Sequence, residues 1–376
     1  MQAYKLLSVI AFFLSVGVAR YGSDQSQITE RPRVQRETFS LAEINDPLNT
    51  PGSSALLFNG AQKYLLANDK PVIELLAELG EEKPAHYVKA DSATIKRGYE
   101  LIHAGRTTAP DGSRSKPVSK FYSCTSCHNV QREDPDLTRV DPDARLHFAM
   151  KNDIPYLQGS TFWGIVNRES WYNDDYVLKY GDLVKKAENS LRESVQLCAR
   201  VCAQGRTLED WEMNSILAYF RSLELTLGDL EMEPEEQQQL EKLLTSGKQK
   251  DAIALIKDQY MVKSPATFGK PPKDKLAGYE EIEQGRLEEG KAIYNLGCKH
   301  CHHAYGESDL VLDDSRFTFR WLVKHIPDNG DLSIYEITRV GTYSEKGHKE
   351  YMPHYTLEKM SHQQLEDLRA YIEANQ

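Results

Sequence analysis

The chain has 376 residues, of which 46 are basic and 56 acidic, for a net charge of −10. That length exceeds one typical domain, so two or three units are expected. The acidic balance disfavours nucleic acid as a partner; it suits docking to a basic protein surface or plain solubility.

Lys5 precedes an apolar run from Leu6 to Ala19, and Gly17-Val18-Ala19 offers small residues for cleavage. This reads as a signal peptide over residues 1–19, with an uncleaved anchor as the alternative, although the run is short for a spanning helix. No other stretch is apolar enough to cross a bilayer. The protein is therefore expected to be periplasmic or otherwise exported. Residues 20–90 read as an N-terminal arm and short helices. The arm is polar to about residue 50 and carries Pro32, Pro47 and Pro51. Apolar residues from Ser54 to Leu79 then suggest two short helices, separated near Asn68-Asp69-Lys70-Pro71.

A first unit is expected over 91–226. Asp91-Ser92 caps a helix bearing Ile95, Tyr99, Leu101 and Ile102, ending at Gly105. A polar loop leads to Cys124-Thr125-Ser126-Cys127-His128, and the unit closes with an apolar-periodic helix from Leu208 to Leu223. Residues 227–275 read as a helical linker: Leu240, Leu243, Leu244, Ile253, Leu255 and Ile256 argue for a hairpin turning at Ser246-Gly247. A second unit, 276–376, repeats the plan. A helix over Gln284–Leu296 precedes Cys298-Lys299-His300-Cys301-His302, and a closing helix runs from Leu357 through Ile372. Ala218-Tyr219-Phe220 and Ala370-Tyr371-Ile372 mark corresponding places in the two closing helices, an internal repeat of architecture.

Cys-x-x-Cys-His is the attachment signature of c-type haem. Two thiols add across the porphyrin vinyl groups, and the adjoining imidazole is the proximal iron ligand. A redox dithiol or a zinc site competes for any Cys-x-x-Cys. The His directly after each second Cys, and the repeated surroundings, favour haem. The expected cofactors are thus two covalently attached haem c groups, held by Cys124, Cys127, Cys298 and Cys301, with iron bound by His128 and His302.

Starting helix, attachment motif, long loop and closing helix together resemble class I c-type cytochromes, over roughly Asp91–Leu225 and Leu276–Gln376. The resemblance implies an all-α fold, two cytochrome c domains joined by a helical spacer, in which the porphyrin supplies much of each small core. It also implies a distal methionine shortly before the closing helix, and Met352-Pro353 stands there, with His354 as a near rival. The first unit departs from this pattern. Met352 lies 19 residues before Tyr371, and the equivalent place before Tyr219 is Arg200, between Cys198 and Cys202. Cys-ligated haem occurs in some thiosulfate-oxidising dihaem cytochromes, which the Cys198–Arg206 stretch resembles. Cys202 is the favoured sixth ligand; Cys198, a Cys198–Cys202 disulfide, Met213, His147, Met150 or an open site are the alternatives. Trp163, Tyr172, Arg168 and Trp321 fall where such proteins place haem-packing aromatics and propionate-binding groups, though ordinary packing explains each. His300 and His303 read as solvent-facing.

The leading functional reading is an electron carrier between redox proteins, a respiratory complex among the candidate partners. The alternative is an oxidoreductase of the thiosulfate dehydrogenase type, with Arg192, Arg200 and Arg206 beside the two cysteines. A dihaem peroxidase ranks third.

Overall fold

Helices form where the sequence supplies a cap and an apolar stripe. The computed structural model describes residues 55–59, 62–280, 282–342 and 351–376. The expected signal peptide and the arm to residue 50 lie outside the described residues, and no described helix is long and apolar enough to cross a membrane. From Gly52 onward the chain forms one unit.

The described residues of that unit are all-α apart from one hairpin. Strands β1 (Ala55–Asn59) and β2 (Gln62–Leu66) pair antiparallel with Asn59 opposite Gln62. This hairpin replaces the first of the two short helices expected between Ser54 and Leu79. Asn59, the last residue of β1, is followed by Gly60, a dipeptide that favours tight hairpin turns, and Leu-Leu-Phe and Tyr-Leu-Leu suit strands as well as helices. The second expected helix is present as α1 (Val72–Glu78), entered through Pro71.

Helix α2 (Ser92–Ala104) starts where Asp91 accepts a hydrogen bond from the Thr94 N–H and stops at Gly105, whose φ of 65° only glycine adopts freely. The long stretch after the first motif carries α3 (Pro142–Asn152), α4 (Asp174–Tyr180) and α5 (Leu191–Leu197), then a π-helical turn over Cys198–Cys202. The closing helix is α6 (Asp210–Arg221). The spacer forms the expected hairpin, α7 (Pro234–Thr245) and α8 (Gln249–Lys257). It is no free linker: Leu240, Leu244, Ala252 and Ile256 share a core with Val72, Leu75 and Leu76 of α1.

The second starting helix runs further than its glycine suggests. Helix α9 (Leu287–Ala292) continues as a π-helical turn over Ile293–Cys298 into α10 (Lys299–Cys301), so Gly297 lies inside the helical path. There follow α11 (Arg316–Lys324), α12 (Ile334–Val340) and α13 (His362–Ala374). The last begins later than Leu357, because Ser361 caps it by accepting from the Gln364 N–H.

Cores and sequence segments do not coincide. Leu146, Ala149, Ile154 and Tyr156 of the first segment are buried with Ile293, Tyr294, Leu365 and Leu368 of the second. Charge reinforces the junction. Glu133, buried between the segments, pairs with Arg145 at 3.2 Å and with Lys359 at 2.7 Å. It also accepts from the Thr161 N–H and the Asn129 amide. Burial disfavours its charge, but the Arg145 and Lys359 cations hold the carboxyl well below the usual range.

Candidate haem-attachment sites

In each unit the helix before the motif crosses the closing helix at a glycine. A β-carbon on Gly98 would stand 2.0 Å from the Ser215 carbonyl and 2.6 Å from Cβ of Tyr219. On Gly290 it would stand 2.0 Å from the Asp367 carbonyl and 2.8 Å from Cβ of Tyr371. Both tyrosines belong to the Ala-Tyr-apolar triplets, so the crossing repeats to the residue. Neither glycine stands out in the sequence; their one signal is a glycine within each starting helix, where it costs helix stability unless packing needs it.

That crossing carries the chain to the motifs. Cys124–Ser126 form one tight 3₁₀ turn, and His128 follows. The segment 159–162 wraps the imidazole: the Gly159 N–H donates to the Cys127 carbonyl at 3.0 Å, and Phe162 stacks on the ring at 4.6 Å. His128 Nδ1 lies 2.6 Å from the Ser160 carbonyl oxygen. A carbonyl only accepts, so Nδ1 carries the proton and the Nε2 lone pair is left for a metal. His302 repeats the device, with Nδ1 at 2.9 Å from the Leu310 carbonyl. Burial lowers the pKa of both rings against their backbone hydrogen bonds, which keeps them neutral as ligation requires. A second glycine pair serves the wrap: a β-carbon on Gly159 would meet His128 at 2.5 Å, and one on Gly306 would meet the Cys301 carbonyl at 2.1 Å.

All six cysteines are free thiols. Burial pushes Cys124, Cys298 and Cys301 up to about 12, and Cys127 well above its ordinary value. Each motif therefore offers two neutral thiols at attachment spacing and an imidazole whose Nε2 has no hydrogen-bond partner among the described residues. That donor set fits covalent haem c. Among the described residues no cluster of three His, Cys, Asp or Glu could hold a bare metal ion, which sets the zinc reading aside there.

The two motifs touch. Cys301 Sγ lies 3.6 Å from the Ser126 carbonyl, the Ser126 hydroxyl donates to Glu307 at 2.7 Å, and the Tyr122 hydroxyl donates to the Tyr351 carbonyl at 2.8 Å.

Cys202 faces this junction. The Cys198 thiol and the Tyr351 hydroxyl both donate to its sulfur; the Cys198 bond leads in lowering its pKa, against burial, while Cys198 is pushed well up. Tyr172 and Tyr176 are close enough to Cys202 to have their own ionisation disfavoured by it. Other residues singled out in the sequence are engaged elsewhere. His147 is exposed and faces Glu289 at 3.6 Å, Met150 is exposed on the same helix, and Met213 is in the first core. Arg206 is clamped on Glu212 at 2.6 Å through both terminal nitrogens, Arg192 lies against Asp210 and Asn214, and Arg200 is exposed. Trp163 packs beside the spacer hairpin under Arg132, and Trp321 packs on His325. Arg168 is part-buried, with its guanidinium 3.4 Å from the Ser160 hydroxyl. His303 is exposed, as expected, and His300 is part-buried.

Met352 is anchored by its backbone. Its N–H donates to the Thr342 hydroxyl at 2.6 Å, and its carbonyl accepts from the Thr342 N–H at 2.9 Å. His354, its rival, has Nδ1 at 3.4 Å from the Tyr180 hydroxyl.

The family model described as Cytochrome c matches residues 287–376, from the first residue of α9 to the end of the chain. Residues 287–376 are a cytochrome c domain. Such a domain binds haem c covalently and serves electron transfer. The matched stretch contains Cys298, Cys301, His302 and Met352. No curated protein and no solved structure matches the chain.

Proposed function

We propose that the chain is an exported dihaem c-type cytochrome that passes electrons between redox proteins. One observation carries this reading: residues 91–226 repeat the devices of the cytochrome c domain. Gly98 matches Gly290 at the helix crossing, Gly159 matches Gly306 at the wrap, and His128 matches His302 in giving its Nδ1 proton to a carbonyl. Haem c supplies a one-electron iron couple when bound.

In this reading Cys124 and Cys127 hold one group and Cys298 and Cys301 the other, with His128 and His302 as proximal ligands. Met352 is the sixth ligand in the cytochrome c domain and raises the potential there. Cys202 is the sixth ligand in the first unit; its anionic sulfur, held by Cys198 and Tyr351, stabilises ferric iron and lowers the potential. Contact between Ser126 and Cys301 favours passage within the chain. The leader over 1–19 fits export to the compartment where such proteins mature, and the acidic surface fits a basic partner.

The acidified Cys202 also favours a second reading, oxidation of a small sulfur compound in the manner of thiosulfate dehydrogenases. Clamping of Arg206 by Glu212 removes that arginine from the role.

The test is haem stoichiometry. Denatured protein from a host competent in c-type maturation should retain two haems per chain, and the double variant Cys124→Ala/Cys127→Ala should retain one. A single haem in the unaltered chain overturns the dihaem reading. Thiosulfate turnover with an artificial acceptor decides between carrier and enzyme.

A further inference from the structure

Glu133 is 2 % exposed, and each oxygen of its carboxylate faces two donors. Oε1 accepts from the Thr161 N–H at 3.0 Å and from Lys359 at 2.7 Å. Oε2 accepts from the Asn129 side-chain amide at 2.9 Å and from Arg145 at 3.2 Å. Only a group that accepts at both ends satisfies this set, so the place is built for an ionised carboxylate and not for its neutral isostere. Two cations already balance the buried charge. The two neutral donors are what distinguishes this carboxylate from a plain ion pair.

Those two donors flank the proximal histidine of the first unit. Asn129 directly follows His128, and Thr161 directly follows Ser160, whose carbonyl accepts from His128 Nδ1 at 2.6 Å. One carboxylate therefore grips the residue beside the imidazole and the residue beside its acceptor. The grip extends along the wrap. The Asn129 amide also donates to the Pro155 carbonyl at 2.9 Å, Arg145 donates to the Leu157 carbonyl at 2.8 Å, and the Phe162 N–H donates to the Asn129 carbonyl at 2.8 Å. In the cytochrome c domain a hydroxyl stands in the corresponding place: Ser308 accepts from the N–H of Leu310, the residue whose carbonyl orients His302.

We propose that Glu133 is the positioning residue of His128. Through Asn129 and Thr161 it fixes the separation of the imidazole from the Ser160 carbonyl, and so sets how basic a ligand the first iron receives. A firm Nδ1–H···O bond makes the ligating nitrogen more basic, which favours ferric iron. Loosening the grip lengthens that bond, and the potential of the first haem rises. Lys359 comes from the cytochrome c domain, so that domain completes the grip on the other unit's ligand. The inference rests on the reading of His128 as a haem ligand.

A change of charge would move a potential by itself, since Glu133 and Lys359 are both felt at the imidazole. The decisive variant is therefore neutral. Asn129→Leu removes one link and no charge, and it spares both ion pairs, so it stays informative if Glu133→Gln does not fold. Redox titration of the haem-loaded, full-length protein resolves the two couples. Asn129→Leu and Glu133→Gln should each raise the first potential and leave that of the cytochrome c domain in place. In the double variant the shift should fall short of the sum of the two, as for groups acting through one contact. Proton exchange is the second readout. The His128 Nδ1 proton, displaced in the NMR spectrum by ferric iron, should exchange with deuterated solvent about tenfold faster or more in Asn129→Leu, through loss of one hydrogen bond to a charged group. An unchanged first potential in Asn129→Leu overturns the proposal, as does unchanged exchange, and so do additive shifts, which assign the effects to charge and to packing separately. One haem per unaltered chain overturns instead the reading of the first unit, and the proposal with it.

Discussion

A β-carbon on Gly98 would stand 2.0 Å from the carbonyl oxygen of Ser215, so α2 and α6 cross with backbone against backbone. Gly290 and Asp367 stand in the same relation in the cytochrome c domain. Each carbonyl belongs to a helix and cannot retreat alone; a side chain forces the helices apart. Gly98→Ala and Gly290→Ala should each destabilise the protein by about 1–3 kcal/mol or more, through overpacking. Chemical denaturation measures this, and a neutral effect at either site would show that the crossing tolerates separation.

Glu133 binds the two segments together from the inside. Replacing it with Gln leaves Arg145, itself almost fully buried, without its carboxylate. Loss of about 3–5 kcal/mol is expected, since breaking a buried pair strands the other charge. The sign with pH follows from the direction of the shift. Because folding depresses this carboxyl's pKa, its contribution is present above the ordinary carboxylate value and is lost as pH falls through the lower, folded-state value. The stability gap between the unaltered protein and Glu133→Gln should therefore be full at neutral pH and narrow only in strong acid. A gap that closes near pH 5 contradicts the assignment.

Glu224 titrates the other way. Burial raises its pKa to about 7, against the Tyr87 hydroxyl and Arg221, with Glu74 adding to the rise. The folded state thus favours the protonated acid. That preference contributes fully below the ordinary carboxylate value and is lost as pH rises through about 7. About 3 kcal/mol of stability should disappear between acidic and mildly alkaline pH from this group. Glu224→Gln should abolish that slope and be the more stable form at pH 8, as read from denaturation midpoints across the range. Parallel profiles for the two proteins would refute it.

Met352 is held by both backbone hydrogen bonds to Thr342. Met352→Ala should lower the potential of the cytochrome c domain by on the order of 0.1 V, a modest part of the roughly 0.8 V that axial ligands span. The same variant should let the reduced iron take carbon monoxide. Redox titration and a carbon monoxide difference spectrum read both, and an unchanged potential removes Met352 from the ligand set.

Much of the site is legible in the order of residues alone. Cys-x-x-Cys-His is a local pattern, because thioether attachment requires residues adjacent in the chain, and so the motifs at Cys124 and Cys298 announce themselves. Asp91, Gly105 and the apolar stripe of α6 are local signals too, set by capping and the helical period. The hairpin at Ala55–Leu66 is not legible in this way, because short apolar runs serve strand and helix equally. The start of α13 lies later than its apolar pattern suggests because Ser361, not the first apolar residue, supplies the cap.

The sequence by itself determined the helical class and set out the two Cys-x-x-Cys-His motifs, since both follow from neighbours along the chain. Only the tertiary structure decided which backbone carbonyls orient His128 and His302, and that Tyr351 reaches Cys202 from the far end of the polypeptide. It also brought Ser126 against Cys301 and the Tyr180 hydroxyl to the ring of His354. These contacts join residues far apart in the chain, and they depend on the packing of buried side chains across two interlocked cores, which no local pattern encodes.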